Sequence, residues 1–188
     1  MIKLYIMIVI GIDPSINSTG ICIKRDDKIL YYIIPSKMTK KMKVFDNKYI
    51  KILPYDKHDV SGQDYMNKEV SKTYNIYNIC KVIEILIKKY KPDLINMEGV
   101  AYSSNGSVID LAGLNYCIRM TTMKHNIPFQ IISPTSVKKF AVANGQAPKE
   151  VIIDAWKKLD SNIKDIKDIK IDDLADAYFI ANYQDLET

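Results

Sequence analysis

Four acidic residues stand where a carboxylate is costly. Asp13 closes an apolar, β-branched run at 5–12, and Glu98 lies at the end of a second apolar run at 93–100. Near the other end of the chain, Asp173 and Asp176 flank an apolar stripe of Ile171, Leu174, Ala175, Tyr178 and Phe179. Three residues apart, they share one face of a helix. A carboxylate beside a buried strand needs a cationic partner, and Arg25 and Arg119 are the only arginines. A divalent metal is the natural counter-charge. Oxygen donors without histidine or cysteine suit Mg²⁺ or Mn²⁺ rather than Zn²⁺. Each acid also has an ordinary structural role open to it. Asp13 can form a turn with Pro14, Glu98 can be a solvent-facing strand end, and Asp172 and Asp173 can be N-terminal charges favoured by a helix dipole. One such coincidence is as good as a ligand; four together are much less so.

These side chains need elements to carry them. Residues 5–12 form a continuous β-branched run, as in a strand covered on both faces. A turn cluster (Pro14, Ser15, Asn17, Ser18, Gly20) follows, and the strand pattern resumes at 21–23, so the pair reads as a hairpin. Residues 28–34 give a third strand. Residues 36–69 show no sustained period and read as a long basic loop or flexible hairpin inserted between core elements. Helical spacing at Ile76, Ile79, Cys80, Ile83, Leu86 and Ile87 predicts a helix over 71–90, stopped by Pro92. A strand at 93–100 and a helix at 107–124 come next. That helix turns Val108, Leu111, Ala112, Asn115, Cys117, Met120 and Met123 inward or toward an interface. A strand at 129–132 and helices at 134–142, 148–159 and 171–183 complete the chain. Strands first, then strands alternating with helices, predict an α/β class with a mixed central β-sheet flanked by helices.

Composition narrows the partners. With 188 residues, the chain fits one domain with an insertion at about 36–69. The net charge is +5, and residues 36–58 account for all of the excess through seven lysines, including Lys37, Lys40, Lys41 and Lys43. Such a segment permits nucleic-acid binding, although a Lys-, Ile-, Asn- and Tyr-rich composition also follows from an AT-rich genome. Three cysteines far apart (Cys22, Cys80, Cys117) argue against a disulfide framework and for a reducing, cytoplasmic setting. Asp13 and Pro14 interrupt the N-terminal apolar run too early for a signal peptide, and no run is long enough to span a membrane. No membrane partner is expected.

The motifs resemble one family. Gly11-Ile12-Asp13-Pro14-Ser15 with Ser18-Thr19-Gly20, then Asn96-Met97-Glu98-Gly99-Val100, then Asp173-Leu174-Ala175-Asp176-Ala177 are similar, in this order, to the RuvC family of Holliday-junction resolvases. Ser136-Val137-Lys138 through Lys149 matches as well. The resemblance implies a ribonuclease-H-like fold and a homodimer. It also implies paired, metal-dependent nicks at a four-way DNA junction, with two Mg²⁺ per active site and Mn²⁺ as a substitute. No small-molecule substrate is implied. By the same resemblance, Asp13, Glu98, Asp173 and Asp176 are metal-binding carboxylates. Lys138 and Lys149 are basic residues near the scissile phosphate, and Lys139 is a further DNA contact. The helix after Glu98, with Gly113, is the dimer-forming helix.

Three features depart from the family pattern. The junction-inserting aromatic expected three residues after Glu98 is replaced by Ala101, with Tyr102 next to it as the candidate DNA-contacting ring. Asp172 beside Asp173 leaves the third carboxylate open by one position. The 36–69 insertion is long for a bacterial resolvase and, with the composition, points to a phage or other viral member acting in the host cytoplasm. Other readings remain. One is a nuclease of the same fold acting on other branched DNA or RNA-containing duplexes. A non-catalytic branched-DNA-binding module is another. An ATPase of the actin/hexokinase type shares the Gly-Ile-Asp hairpin, but the chain shows neither its second phosphate loop nor its adenosine site.

Overall fold

The β-branched run near the N-terminus becomes β1 (Ile8–Asp13), the axis on which everything else is hung. In this computed structural model the described residues are 7–45, 47–100, 108–163, 166, 169 and 171–183. The chain turns back at Pro14 and Ser15 into β2 (Ser18–Arg25), and a two-residue Asp26-Asp27 turn leads to β3 (Lys28–Pro35). Asp26 takes φ 51°, which aspartate tolerates in a tight hairpin. Together with β4 (Ile50–Ile52), β5 (Leu94–Glu98) and β6 (Phe129–Ile132), these strands form a six-stranded sheet ordered β4-β3-β2-β1-β5-β6. The β1–β2 and β2–β3 pairs are antiparallel, whereas β3–β4, β1–β5 and β5–β6 are parallel. This is the expected mixed sheet.

Helices cover both faces. On one, α2 (Tyr65–Tyr90) and α3 (Val108–Lys124) pack over Ile10, Ile12, Ile95 and Met97. On the other, α1 (Lys40–Val44), α4 (Pro134–Val142), α5 (Lys149–Leu159) and α6 (Ile171–Asn182) close a core centred on Trp156, Tyr31 and Leu174. The Trp156 indole N–H donates to the Tyr31 hydroxyl at 2.9 Å, and that hydroxyl donates to buried Asp160 at 2.8 Å. No helix of the described residues is long and apolar enough to cross a membrane.

Two readings from the sequence need correction, and a third is narrowed. The 36–69 segment is not an irregular loop. It holds α1 and the edge strand β4, and Met42, Ile50 and Tyr55 are buried. Three buried side chains among lysines leave no period to read. Helix α2 starts six residues earlier than the expected 71, because Asp64 caps it by accepting from the Asn67 amide at 2.9 Å. Its opening turn carries Tyr65 and Met66, both exposed, and so has no inward stripe. In α3 the buried line is Leu114, Asn115, Ile118 and Thr122, whereas Met120 and Met123 are 67% and 62% exposed. That helix is apolar on nearly every side, so periodicity could not choose its inner face.

Candidate active site

Alternation along the two central strands decides where the acids go. Ile8, Ile10 and Ile12 of β1, with Ile95 and Met97 of β5, face α2 and α3. Side chains of opposite parity, including Gly11, Asp13, Asn96 and Glu98, therefore face α6. Ile12 pairs with Met97 across the parallel ladder, so Asp13 and Glu98 end side by side at the carboxyl edge of the sheet. The Asn96 amide donates to the Ile180 carbonyl at 3.0 Å, which ties α6 to the centre of β5.

Two glycines let α6 lie close. A Cβ at Gly11 would stand 2.4 Å from the Ala177 carbonyl oxygen, and one at Gly20 would stand 2.1 Å from that of Asp173. Any side chain there would push away the first turns of α6, which carry Asp173 and Asp176. The hairpin turn before β2 is held as well. The Thr19 hydroxyl donates to the Ser15 carbonyl at 2.8 Å and accepts from the Ser15 amide at 3.2 Å. Behind Glu98, Asn115 of α3 donates to its main-chain carbonyl at 2.8 Å, and Arg119 donates to the Asn115 side-chain oxygen at 2.8 Å. Asn115, which the sequence places inward or at an interface, anchors the strand end that carries Glu98.

The electrostatics show four acids sharing one field. Burial, then the negative charges of Glu98, Asp176 and Asp173, and a hydrogen bond with Glu98, push the Asp13 carboxyl well above the usual range. Glu98 is raised to about 7, first by burial and then by Asp176; Asp13, Lys138 and Lys149 oppose the rise. Burial also raises Asp176, against the pull of Lys149 and Lys138. Both lysines singled out from the sequence therefore reach the carboxylates. Asp172 is turned to Lys149, with Nζ and Oδ2 2.9 Å apart, while Asp173 acts on Asp13. Lys139 is exposed on the last turn of α4, and Lys37, Lys40, Lys41 and Lys43 are exposed on or just before α1. Tyr102 and Ala101 lie outside the described residues.

The donor set fits a hard divalent cation. Four carboxylates converge from two strand ends and one helix, their mutual repulsion raises the proton affinity of Asp13 and Glu98, and two lysines compensate only in part. Among the described residues no three of these acids form a ready-made coordination shell.

Architecture and site together define a ribonuclease-H-like protein of the nuclease type. The family model described as crossover junction endodeoxyribonuclease RuvC matches residues 60–182. Among curated relatives, the crossover junction endodeoxyribonuclease RuvC of Caldanaerobacter subterraneus subsp. tengcongensis is 27% identical over 93% of this chain and 90% of its own length. That of Orientia tsutsugamushi (strain Boryong) is 30% identical, covering 92% and 93%. The solved structure of Thermus thermophilus RuvC in complex with Holliday junction substrate superposes with a TM-score of 0.60. It covers 93% of this chain and 90% of that one at 19% identity, which is a likeness of fold. The chain belongs to the RuvC family of crossover junction endodeoxyribonucleases, which are metal-dependent nucleases.

Proposed function

We propose that this protein resolves four-way DNA junctions by hydrolysing one phosphodiester in each of two symmetric strands, as a homodimer acting where cytoplasmic DNA is accessible. The observation that carries the reading is the convergence of Asp13, Glu98 and Asp176 with Lys138 and Lys149 at one sheet edge in a member of this family. Asp13, Glu98, Asp173 and Asp176 would hold Mg²⁺, two ions per site, with Mn²⁺ as substitute. Such a pair activates water and neutralises charge on the attacked and departing oxygens. Lys138 and Lys149 place positive charge where charge develops on the phosphate. Exposed lysines at 37, 40, 41 and 43, with Lys139, hold the DNA backbone and so position it without reading sequence. Tyr102 is the ring offered to the junction centre.

Support for self-association comes from α3. Ile109, Tyr116, Met120 and Met123 fall on one outward face and are 86%, 61%, 67% and 62% exposed. A two-fold interface on this face would pair two sites in the symmetry of a four-way junction. The test is incubation with synthetic four-way, three-way and linear duplex DNA in Mg²⁺, then in EDTA. Paired nicks in the four-way substrate alone, lost in EDTA and in Asp13→Asn, are expected. Equal cleavage of linear duplex would overturn junction selectivity, and cleavage by Asp13→Asn would remove Asp13 from the site.

A further inference from the structure

Helices α5 and α6 meet in an ion pair at the edge of the carboxylate cluster. Lys149 opens α5 and Asp172 lies in the first turn of α6, with Nζ and Oδ2 2.9 Å apart. The side chains are 65% and 27% exposed. The pair borders a cavity of about 30 Å³ whose polar lining is Lys138, Lys149, Asp172 and Asp176, with Ile152 and Ile153 among the apolar residues. One wall is thus Asp176, an acid of the proposed metal site, and the other three charged groups are Lys138, Lys149 and Asp172.

We propose that Asp172 is a positioning residue whose carboxylate holds the Lys149 ammonium at the rim of the carboxylate site, ready to meet the scissile phosphate. This rests on the junction-nuclease reading of that site. An exposed ion pair contributes little to stability, so its consequence lies in where it puts Lys149. A lysine at the start of a surface helix otherwise ranges through many rotamers, and fixing it before the phosphate arrives removes that ordering from the reactive step. The ammonium has three donors. It can keep one on Asp172 and turn another to a phosphate oxygen, so the pair need not break. Asp172 also explains why a second acid sits beside Asp173: it answers to the lysine rather than to the metal. Because Asp172 adds negative charge near the DNA path, its removal should not weaken binding.

The test is a double-mutant cycle on the full-length protein with a synthetic four-way junction in Mg²⁺. Single-turnover cleavage and equilibrium binding are measured separately. Asp172→Asn should lower the cleavage rate about tenfold with the dissociation constant unchanged or slightly smaller, and Asp172→Glu should restore most of the rate. In a Lys149→Ala background, adding Asp172→Asn should change nothing further. A tenfold loss that persists in that background would overturn the positioning role, as would a wild-type rate in Asp172→Asn or in Lys149→Ala. A protein that cuts no branched DNA even unaltered would overturn the nuclease reading, and the role of Asp172 with it. Normal cleavage by wild type and by Asp172→Asn would overturn the positioning role alone.

Discussion

Replacing Glu98 by Gln should stabilise the metal-free protein while abolishing cleavage, and the size of the effect follows from the site. Burial and the charge of Asp176 raise Glu98 from its ordinary 4.5 to about 7. At about 1.4 kcal/mol per pH unit, ionising it in the folded, metal-free protein at pH 8 costs on the order of 3 kcal/mol. The sign follows from linkage: a carboxyl with a raised folded-state pKa contributes stability below its unfolded value. That contribution is lost as pH climbs through the folded value. Wild type in EDTA should therefore weaken between about pH 4.5 and pH 7 from this group, and Glu98→Gln should not. The amide is neutral throughout. At 2–4 °C per kcal/mol for a chain of this size, the variant should melt roughly 6–12 °C above wild type at pH 8, and the gap should close near pH 5. Thermal unfolding by circular dichroism in EDTA at pH 5, 6, 7 and 8 measures it. Mg²⁺ at pH 8 should raise the melting temperature of wild type much more than that of the variant. A variant that melts below wild type at pH 8, or a gap independent of pH, would refute the picture of four acids in mutual repulsion.

Three further outcomes are expected. Gly20→Ala places a methyl against the Asp173 carbonyl. It should cost about 1–3 kcal/mol in denaturant unfolding, as overpacking does, and lower cleavage by at least about a hundredfold while the far-ultraviolet spectrum is retained. Replacing Lys37, Lys40, Lys41 and Lys43 together by Ala should weaken binding to junction and duplex alike. The slope of log K against log salt should flatten by about 0.9 for each lost phosphate contact; an unchanged slope would assign these lysines to solubility alone. Met120→Glu, on the outward face of α3, should convert a dimer to a monomer by light scattering and uncouple the two nicks; an unchanged mass would move the interface elsewhere.

Legibility in the sequence followed the strength of local signals. The strand ends bearing Asp13 and Glu98 were readable because apolar runs stop at them, and the α6 acids because the helix has a clean apolar stripe. Even their common face was encoded, in the parity of Ile10, Ile12, Ile95 and Met97 against Asp13 and Glu98. Gly11 and Gly20 carried a further signal, since glycine inside an apolar strand often marks a close backbone approach. Other features had no local trace. Which side of α3 is buried depends on Ile76 of α2 meeting Gly113, a contact between distant segments. The edge strand β4 is only three residues long and inherits its register from β3. Contact between Lys149 and Asp172 spans 23 positions and follows from how α5 crosses α6.

The charge layout sets an order of events. The protein's net positive charge is concentrated in the α1 region, while the candidate active site concentrates carboxylates. A DNA strand is drawn by the lysines but repelled at the sheet edge until a cation offsets Asp13, Glu98, Asp173 and Asp176. Metal and DNA should therefore bind with positive coupling, and by linkage each must raise the affinity of the other by the same factor. Neutralising one acid substitutes in part for the cation in this respect but not in the chemistry. Asp13→Asn should accordingly bind a four-way junction in EDTA at least as tightly as wild type does, gain less affinity on adding Mg²⁺, and cut nothing. Weaker binding by Asp13→Asn in EDTA would mean that the acid touches DNA through something other than a cation.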